Sequence, residues 1–418
     1  MRMLAELGAG LGLVVAAVVL GRMPNLVWAP AMFLALYSAA FACYGIAVWR
    51  LRNARGPRVL WGVLAVAALA RLALLPATPS LSTDAYRYLW DARVARAGIS
   101  PYVYPPVAPE LGSLRDDVVF ARLNHPTWRT IYPPGAQLFF AAVGRVAPDS
   151  MLAMKIALGV AELVALGALL GLLRTLGLPE GRLVIYAWNP LLLLEIWGTA
   201  HLDALVLPAV IGATWAFVAG RAAIAAGLLA AGTLIKLYPA ALLPLFLGGA
   251  GSLTSVAVFV AALAAGYARL IVEGVTVFGS LPRYLQAEYF NPGLTRSLID
   301  DPVVVALVLA AWVLWAGTTR RSAPLGQRAV VLVGGIVVLS GNVFPWYAVW
   351  LLPFLALAPS IPWIAFTGSV AFAYAFFIER PWAIPWWARV VELAPLAAGT
   401  AWWATRHAAM RPIARTTV

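Results

Sequence analysis

"LSTDAYRYLWDARVARAGISPYVYPP", residues 81–106, decides how this chain is read. It follows closely on an apolar run, 59–77, yet it holds two aspartates, three arginines and four tyrosines. The surrounding chain is greasy: of 418 residues 63% are hydrophobic and only 11% charged, with 18 Trp, 30 Pro and 35 Gly. Soluble domains carry about a quarter charged residues. The composition therefore defines an all-α polytopic integral membrane protein. A crossing takes about 20 apolar residues. The apolar runs are 4–21, 26–49, 59–77, 151–173, 183–199, 203–219, 222–249, 252–271, 302–318, 327–341, 345–358, 361–378 and 391–405. By length they predict a bundle of about 12–14 crossings, read as a single domain over residues 1–418.

The net charge of +13 does not signal a nucleic-acid partner. The basic residues are scattered over short connections and one long polar loop, and no soluble basic domain is left to form a groove. Only Lys155 and Lys236 are lysines. The single cysteine, Cys43, lies in an apolar run and has no partner for an intramolecular disulfide. The opening "MRMLAELGAGLGLVVAAVVLGR" (1–22) lacks a convincing small-residue cleavage site, so a retained first helix is expected.

Arginine-rich short loops stay on the cytoplasmic side. "RLRNARGPR" (50–58), "RTLGLPEGR" (174–182), "TTRRSAPLGQR" (318–328) and "RHAAMRPIAR" (406–415) are such loops. All four share one side only if 131–147 is a short interfacial or half-height helix and 222–249 breaks in two at "KLYP" (236–239). Nearly every acid then faces outward, the side on which two long polar loops, 78–130 and 272–301, lie. The expected localisation is a membrane whose arginine-rich loops are cytoplasmic, with chemistry on the outer face.

Within the quoted stretch, Ser82, Thr83 or Asp84 can cap a helix that stops at Gly98. Asp84, Arg87 and Asp91 share one face at i, i+3 and i+7, opposite a stripe that includes Tyr88 and Leu89. The pattern predicts an amphipathic helix lying in the membrane interface. The plain reading is a helix cap followed by a surface ion pair. The functional reading is a carboxylate at a membrane exit, able to meet a lipid phosphate and a hydroxyl together.

"TDAYRYLWDARVARAGISPYVYPP" (83–106), "LNHPTWRTIYPPGAQLFF" (123–140), "WNPLLLLEIWGTAHLDAL" (188–205), "LIKLYPAALLP" (234–244) and "FPWYAVWLLPFLAL" (344–357) stand in an order that resembles the bacterial GT-C glycosyltransferases. The nearest group is the polyprenyl-phosphate-mannose-dependent mannosyltransferases, and the resemblance runs over about residues 59–395. It implies a GT-C-like helical bundle and a polyprenyl-phosphate-linked sugar donor. It also implies a catalytic acid in the first large outer loop, which Asp84 matches. Many relatives place that acid after their first helix; here it follows the third.

A lipid-phosphate sugar already has a good leaving group. The enzyme needs a base for the acceptor hydroxyl and cations for the departing phosphate. Asp84 is the expected base, with Asp91 in reserve or holding Arg87. Arg87, Arg283, Arg296 and Lys236 are the candidate phosphate ligands; Lys236 interrupts an apolar run, where a cation needs a partner or a task. His125, His201 and Asp203 are candidates for sugar or acceptor hydroxyls, and Tyr132, Trp346 and Tyr347 for stacking on a sugar ring. His201-x-Asp203 is a weak metal pattern, so the sequence requires no cofactor and supports no particular metal site. Asn291-Pro292-Gly293 reads as a turn that lets the second loop move. Glu162 and Glu195, inside apolar runs, read as helix–helix hydrogen-bonding groups rather than catalysts.

The expected partners are the lipid-linked donor, a glycan or glycolipid acceptor, and the bilayer. A transporter or flippase of lipid-linked sugars is the main alternative, since many helices and buried charges suit it too. Against it, the two halves share no hydropathy pattern and the acids gather on one face. A ligase joining whole lipid-linked glycans would differ only in its donor, and a scaffold leaves Asp84 and Lys236 unexplained.

Overall fold

The computed structural model describes residues 2–247, 251–274, 276–319 and 321–409, and among these there are helices and no strand. Helices α1 (Arg2–Arg22), α2 (Pro30–Leu51) and α3 (Pro57–Leu74) open the chain, with α1 packed on both α2 and α3. Proline starts both α2 and α3, where its missing N–H costs no hydrogen bond. Then come α4 (Asp84–Arg96), α5 (Pro134–Val146) and the long α6 (Met151–Thr175).

The next apolar run is not one helix. α7 (Leu183–Ala187) stops before Asn189, whose side chain caps α8 (Pro190–Leu192), and a π turn follows at Leu193–Gly198. Pro190 cannot supply the N–H that a continuous helix requires. α9 (Asp203–Val218) and α10 (Ala222–Thr233) follow, then a 3-10 segment at Tyr238–Phe246. The run 222–249 is thus interrupted at 234–237, overlapping the break expected at 236–239, where Tyr238 and Pro239 instead begin the 3-10 segment. The remainder comprises α11 (Ser252–Val272), short α12 (Leu281–Ala287) and α13 (Leu294–Leu298), α14 (Pro302–Thr318) and α15 (Leu325–Leu339). A 3-10 turn at Pro345–Leu351 leads into α16 (Leu352–Leu357), α17 (Ile361–Ser369) leads into a 3-10 turn at Val370–Phe377, and α18 (Trp386–Ala409) closes the chain.

Among the described residues four helices, α2, α3, α6 and α11, are long and apolar enough to cross a membrane, and six further apolar helical segments have 10–17 residues. That is fewer full-length helices than the hydropathy runs suggest, because Pro, 3-10 and π geometry interrupt several of them. The short α5, at 13 residues, agrees with the half-height expectation.

Three of the four arginine-rich connections lie together. Gly181 N–H donates to the Ala54 carbonyl and Arg55 to that of Gly177, joining 50–58 to 174–182. Arg182 reaches the Leu357 carbonyl, and a Cβ on Gly326 would touch Leu357, which brings in 318–328. The tail 406–415 lies largely outside the described residues. At the other end of α3, eighteen residues away, the chain enters the polar loop that starts α4.

α4 itself departs from expectation. Residues 85–94 are buried all round, so it is an enclosed helix and not an amphipathic one at headgroup depth. The loops that cover it explain why. Asp116 accepts from Arg93 and from the N–H groups of Val119 and Phe120, and the Arg93 hydrogen bond holds its carboxyl well below the usual range. Arg93 also bonds Asp149 at 3.1 Å, so one guanidinium ties three segments.

The two polar loops are docked on each other. Ser280 N–H donates to the Thr130 carbonyl, and Arg129 bonds the Thr276 hydroxyl. Gly279 makes this approach possible: its φ is +51° and a Cβ there would sit 1.9 Å from the Thr130 oxygen. Gly279→Ala is expected to cost about 1–3 kcal/mol, the price of a strained left-handed residue, and to loosen the loop. Limited proteolysis should then cut 272–301 faster than in the wild type. The Asn291 turn, by contrast, is an anchor and no hinge. Asn291 is fully buried, donates to the Val343 carbonyl and to Glu392, and accepts from Arg389.

Candidate active site

α4 begins at Asp84, a position where an acidic side chain suits the free N–H groups of a first turn. The Ser82 hydroxyl accepts from the Asp84 N–H, and Asp84 Oδ1 accepts from Asn124 at 2.6 Å. The half-buried carboxylate opens on a cavity of about 1050 Å³. Three residues on, Arg87 lies on the same wall.

Asp91 is one turn deeper and does not face the cavity. It is 1% exposed and fully engaged: Oδ1 accepts from Arg87 at 2.9 Å, and Oδ2 from Thr130 at 2.6 Å and Gln137 at 2.8 Å. Its carboxylate thus meets these three donors from a buried position and is absent from the cavity wall. The structure places Asp91 behind the wall, where it holds the Arg87 guanidinium. The Arg87–Asp91 pair is buried and not at the surface.

A second cation comes from the break after α10. Lys236 spans both oxygens of Asp203 at 2.9 Å, and Asp203, in the first turn of α9, also accepts from Trp350. Lys236 lies over the rings of Tyr347 and Trp350, and Tyr238 stacks on Trp350 at 3.9 Å. Two of the three ammonium hydrogens are thus directed to Asp203, which leaves one for the cavity that Lys236 lines. Asp203 itself lies behind this pair, at 1% exposure.

His201 is also behind the wall. Its Nδ1 lies 3.0 Å from Glu195 and 2.9 Å from the Thr199 hydroxyl, while Tyr374 donates to the other Glu195 oxygen. Ala200, at φ +62°, turns the chain so that His201 and Asp203 meet different partners. His201 stacks on Trp346 at 4.0 Å, and it is Trp346 that faces the cavity. The helix–helix role read for Glu195 and Glu162 is what the structure contains: Glu162 bonds Arg71 of α3 and Trp197 of the π turn.

Tyr132, Tyr347 and His125 line the cavity as expected. Burial, then the charge of Asp84, pushes the Tyr132 hydroxyl well above its usual range, so it stays a neutral O–H. His125 stacks on Trp128 at 4.0 Å and its Nε2 lies 2.9 Å from Glu288 of the second loop. The two remaining arginines lie off the cavity wall. Arg296 is buried, bonded to Asp300 and to the carbonyls of Glu288 and Gln286, and is absent from the cavity wall. Arg283 is exposed and lies over the Trp128 ring, also off the wall.

Asn124, Trp128, Tyr238, Tyr284, Glu288 and Trp350 line the site but were not assigned to it from sequence. Two had a local signal. Tyr238 stands two residues beyond Lys236, and Trp350 four beyond Trp346, one helical turn. The others reach the site only through loop packing. Among the described residues no group of three or more His, Cys, Asp or Glu could hold a metal ion.

An all-helical membrane bundle enclosing one large cavity, with a carboxylate and two cations on its wall, is the class that the fold and site define. Residues 2–251 match the MptA_B family, described as alpha-(1->6)-mannopyranosyltransferase, N-terminal domain, and the chain belongs to that family of membrane mannosyltransferases. The match covers Asp84, Arg87, Asp203 and Lys236. No curated protein matches the chain, and no solved structure does.

Proposed function

We propose that the chain moves a mannosyl unit from a polyprenyl-phosphate donor to an acceptor hydroxyl, with inversion, on the outer face of the membrane. The observation that carries the reading is one cavity wall holding Asp84, Arg87 and Lys236 together. A second feature favours a lipid donor: Ile235, Leu237, Leu281, Leu285, Leu309 and Ile336 bring aliphatic side chains to the lining of the same cavity. Hydrocarbon is favoured there by about 25 cal/mol for each Å² it removes from water.

In the proposed step the acceptor oxygen attacks the anomeric carbon and its proton passes to the Asp84 carboxylate. The bond from that carbon to the phosphate oxygen breaks, its electron pair leaving with polyprenyl phosphate. Arg87, aimed by Asp91, and the free ammonium hydrogen of Lys236 hold the phosphate as charge grows on it. A β-linked donor then yields an α-linked product. The arginine-rich connections gather at the Pro57 end of α3 while Asp84 follows its other end, which supports the outer-face reading.

Lys236→Met is expected to raise the donor KM by roughly 10–100-fold, the equivalent of one lost charge-assisted hydrogen bond, with Lys236→Arg recovering part of it. The stereochemical claim is tested by giving the reconstituted protein a β-linked lipid donor and reading the new linkage by NMR. An α linkage supports a single displacement; a β linkage would exclude it.

A further inference from the structure

Three arginine-rich connections meet at the Pro57 end of α3, opposite the end that leads to Asp84. Over 50–58, 174–182 and 318–328 they carry nine arginines and a single carboxylate, Glu180. Arg174 takes up that carboxylate at 2.8 Å, so these connections leave no acid for Arg52, Arg55 or Arg182. The chain nevertheless gathers the three. Gly181 lies against the Leu51 carbonyl, where a Cβ would sit 1.9 Å from the oxygen, and its N–H donates to the carbonyl of Ala54. Arg55 donates to the Gly177 carbonyl at 2.7 Å and Arg182 to that of Leu357 at 2.7 Å.

The chain alone does not offset the charge it collects here. Burial, then the positive charges of Arg52 and Arg55, lowers the Arg182 guanidinium from its usual range. The Arg182 Nε atom is buried and meets no hydrogen-bond partner among the described residues. Arginines that only fix orientation need no set geometry. These are brought within repelling distance by backbone contacts, and guanidinium N–H groups suit the oxygens of a phosphate. Two observations point to a lipid as the source of that phosphate. Trp49 and Trp61, on either side of the 52–56 turn, are 63% and 68% exposed, as tryptophans at headgroup depth are. Arg50 lies 4.6 Å over the Trp49 ring, so ring and guanidinium share one level.

We propose that Arg52, Arg55 and Arg182 form a binding site for the phosphate of an anionic phospholipid, whose acyl chains lie against Trp49 and Trp61. The headgroup supplies the counter-charge that these connections lack and ties 50–58 to 174–182. The site lies apart from the Asp84 cavity, and its occupancy does not depend on the function proposed above.

The test reads binding and not transfer. Delipidated full-length protein in neutral detergent is titrated with phosphatidylglycerol, with phosphatidylcholine of the same chain length, and with inorganic phosphate. Apparent melting temperature follows each titration, and native mass spectrometry reads the lipid retained. The wild type is expected to bind phosphatidylglycerol roughly tenfold tighter than phosphatidylcholine and to melt higher with it. Arg52→Gln with Arg55→Gln should weaken phosphatidylglycerol binding roughly 10–30-fold, the contribution of two arginines beside an anionic headgroup. Arg52→Lys with Arg55→Lys keeps the charge and loses the fork geometry, so it should weaken binding roughly threefold, and it decides the matter if the Gln pair does not fold. Arg122→Gln with Arg145→Gln removes the same charge from exposed positions elsewhere and should change nothing. Equal wild-type affinity for the two lipids, or equal weakening by the two Gln pairs, would mean diffuse attraction to a basic face and would overturn the proposal. So would undiminished binding by the Lys pair where the Gln pair is unfolded. Saturable stabilisation by inorganic phosphate, with nothing added by phosphatidylglycerol, would overturn the lipid source.

Discussion

Asp84→Asn is expected to lower mannosyl transfer by roughly 10²–10⁴-fold, the range that a positioned general base contributes, with little loss of folded protein. The substitution keeps the shape of the side chain and removes its basicity. Its one side-chain hydrogen bond in the structure is accepted from Asn124, and an amide oxygen can accept it too. The contrast is Asp91→Asn. Asp91 holds Arg87, Thr130 and Gln137 from a buried position, so its loss should appear as lower stability and a raised donor KM. Single-turnover rates with donor bound, measured beside thermal unfolding for both variants, distinguish the two. Full activity in Asp84→Asn with none in a folded Asp91→Asn would move the base to Asp91.

Glu162→Leu should be the most damaging change outside the cavity. Arg71 of α3 meets Glu162 of α6 through two parallel bonds, Nε to Oε2 at 2.8 Å and Nη2 to Oε1 at 2.7 Å. Nη1 bonds the carbonyls of Ala67 and Ala187, and Glu162 also accepts from Trp197. Both charged groups are at most 2% exposed. One pair therefore ties α3, α6 and the interrupted 183–198 segment together. Removing only the acid leaves a guanidinium buried without its counter-charge, a loss of about 3–5 kcal/mol. Replacing both partners, as Arg71→Met with Glu162→Met, should cost much less, because no orphan charge remains. Apparent melting temperatures in detergent should rank wild type and double variant above Glu162→Leu. Equal melting temperatures for the single variant and the wild type would show that the pair is dispensable.

The parts of this architecture that depend on local chemistry were legible in the chain. Composition and apolar run length define the helical membrane class, and the arginine-rich loops anticipate which connections share an end. The break at Lys236 follows from a cation and a proline in an apolar run. Asp84 could be singled out because helix start, charge and position coincide there. What was not legible depends on packing over long separations. That α4 is enclosed follows from Arg93 gathering Asp116 and Asp149, 23 and 56 residues away. Asp91 looks as available as Asp84 until Thr130 and Gln137 are brought onto it. Arg296 has the charge of a phosphate ligand, but its own loop takes it up through Asp300 and two carbonyls. Periodicity cannot foresee such partners, nor which side chains from well-separated segments meet on one cavity wall.

The most direct test of the central claim, a lipid-donor mannosyltransferase using Asp84, is sugar transfer in membranes from cells making the protein. Labelled polyprenyl-phosphate mannose is compared with labelled GDP-mannose under a block of polyprenyl-phosphate-mannose synthesis, with Asp84→Asn membranes as background. The account predicts label in the acceptor from the lipid donor alone, absent from the Asp84→Asn membranes at equal protein level. Transfer from GDP-mannose under that block, or undiminished transfer by Asp84→Asn, would contradict it.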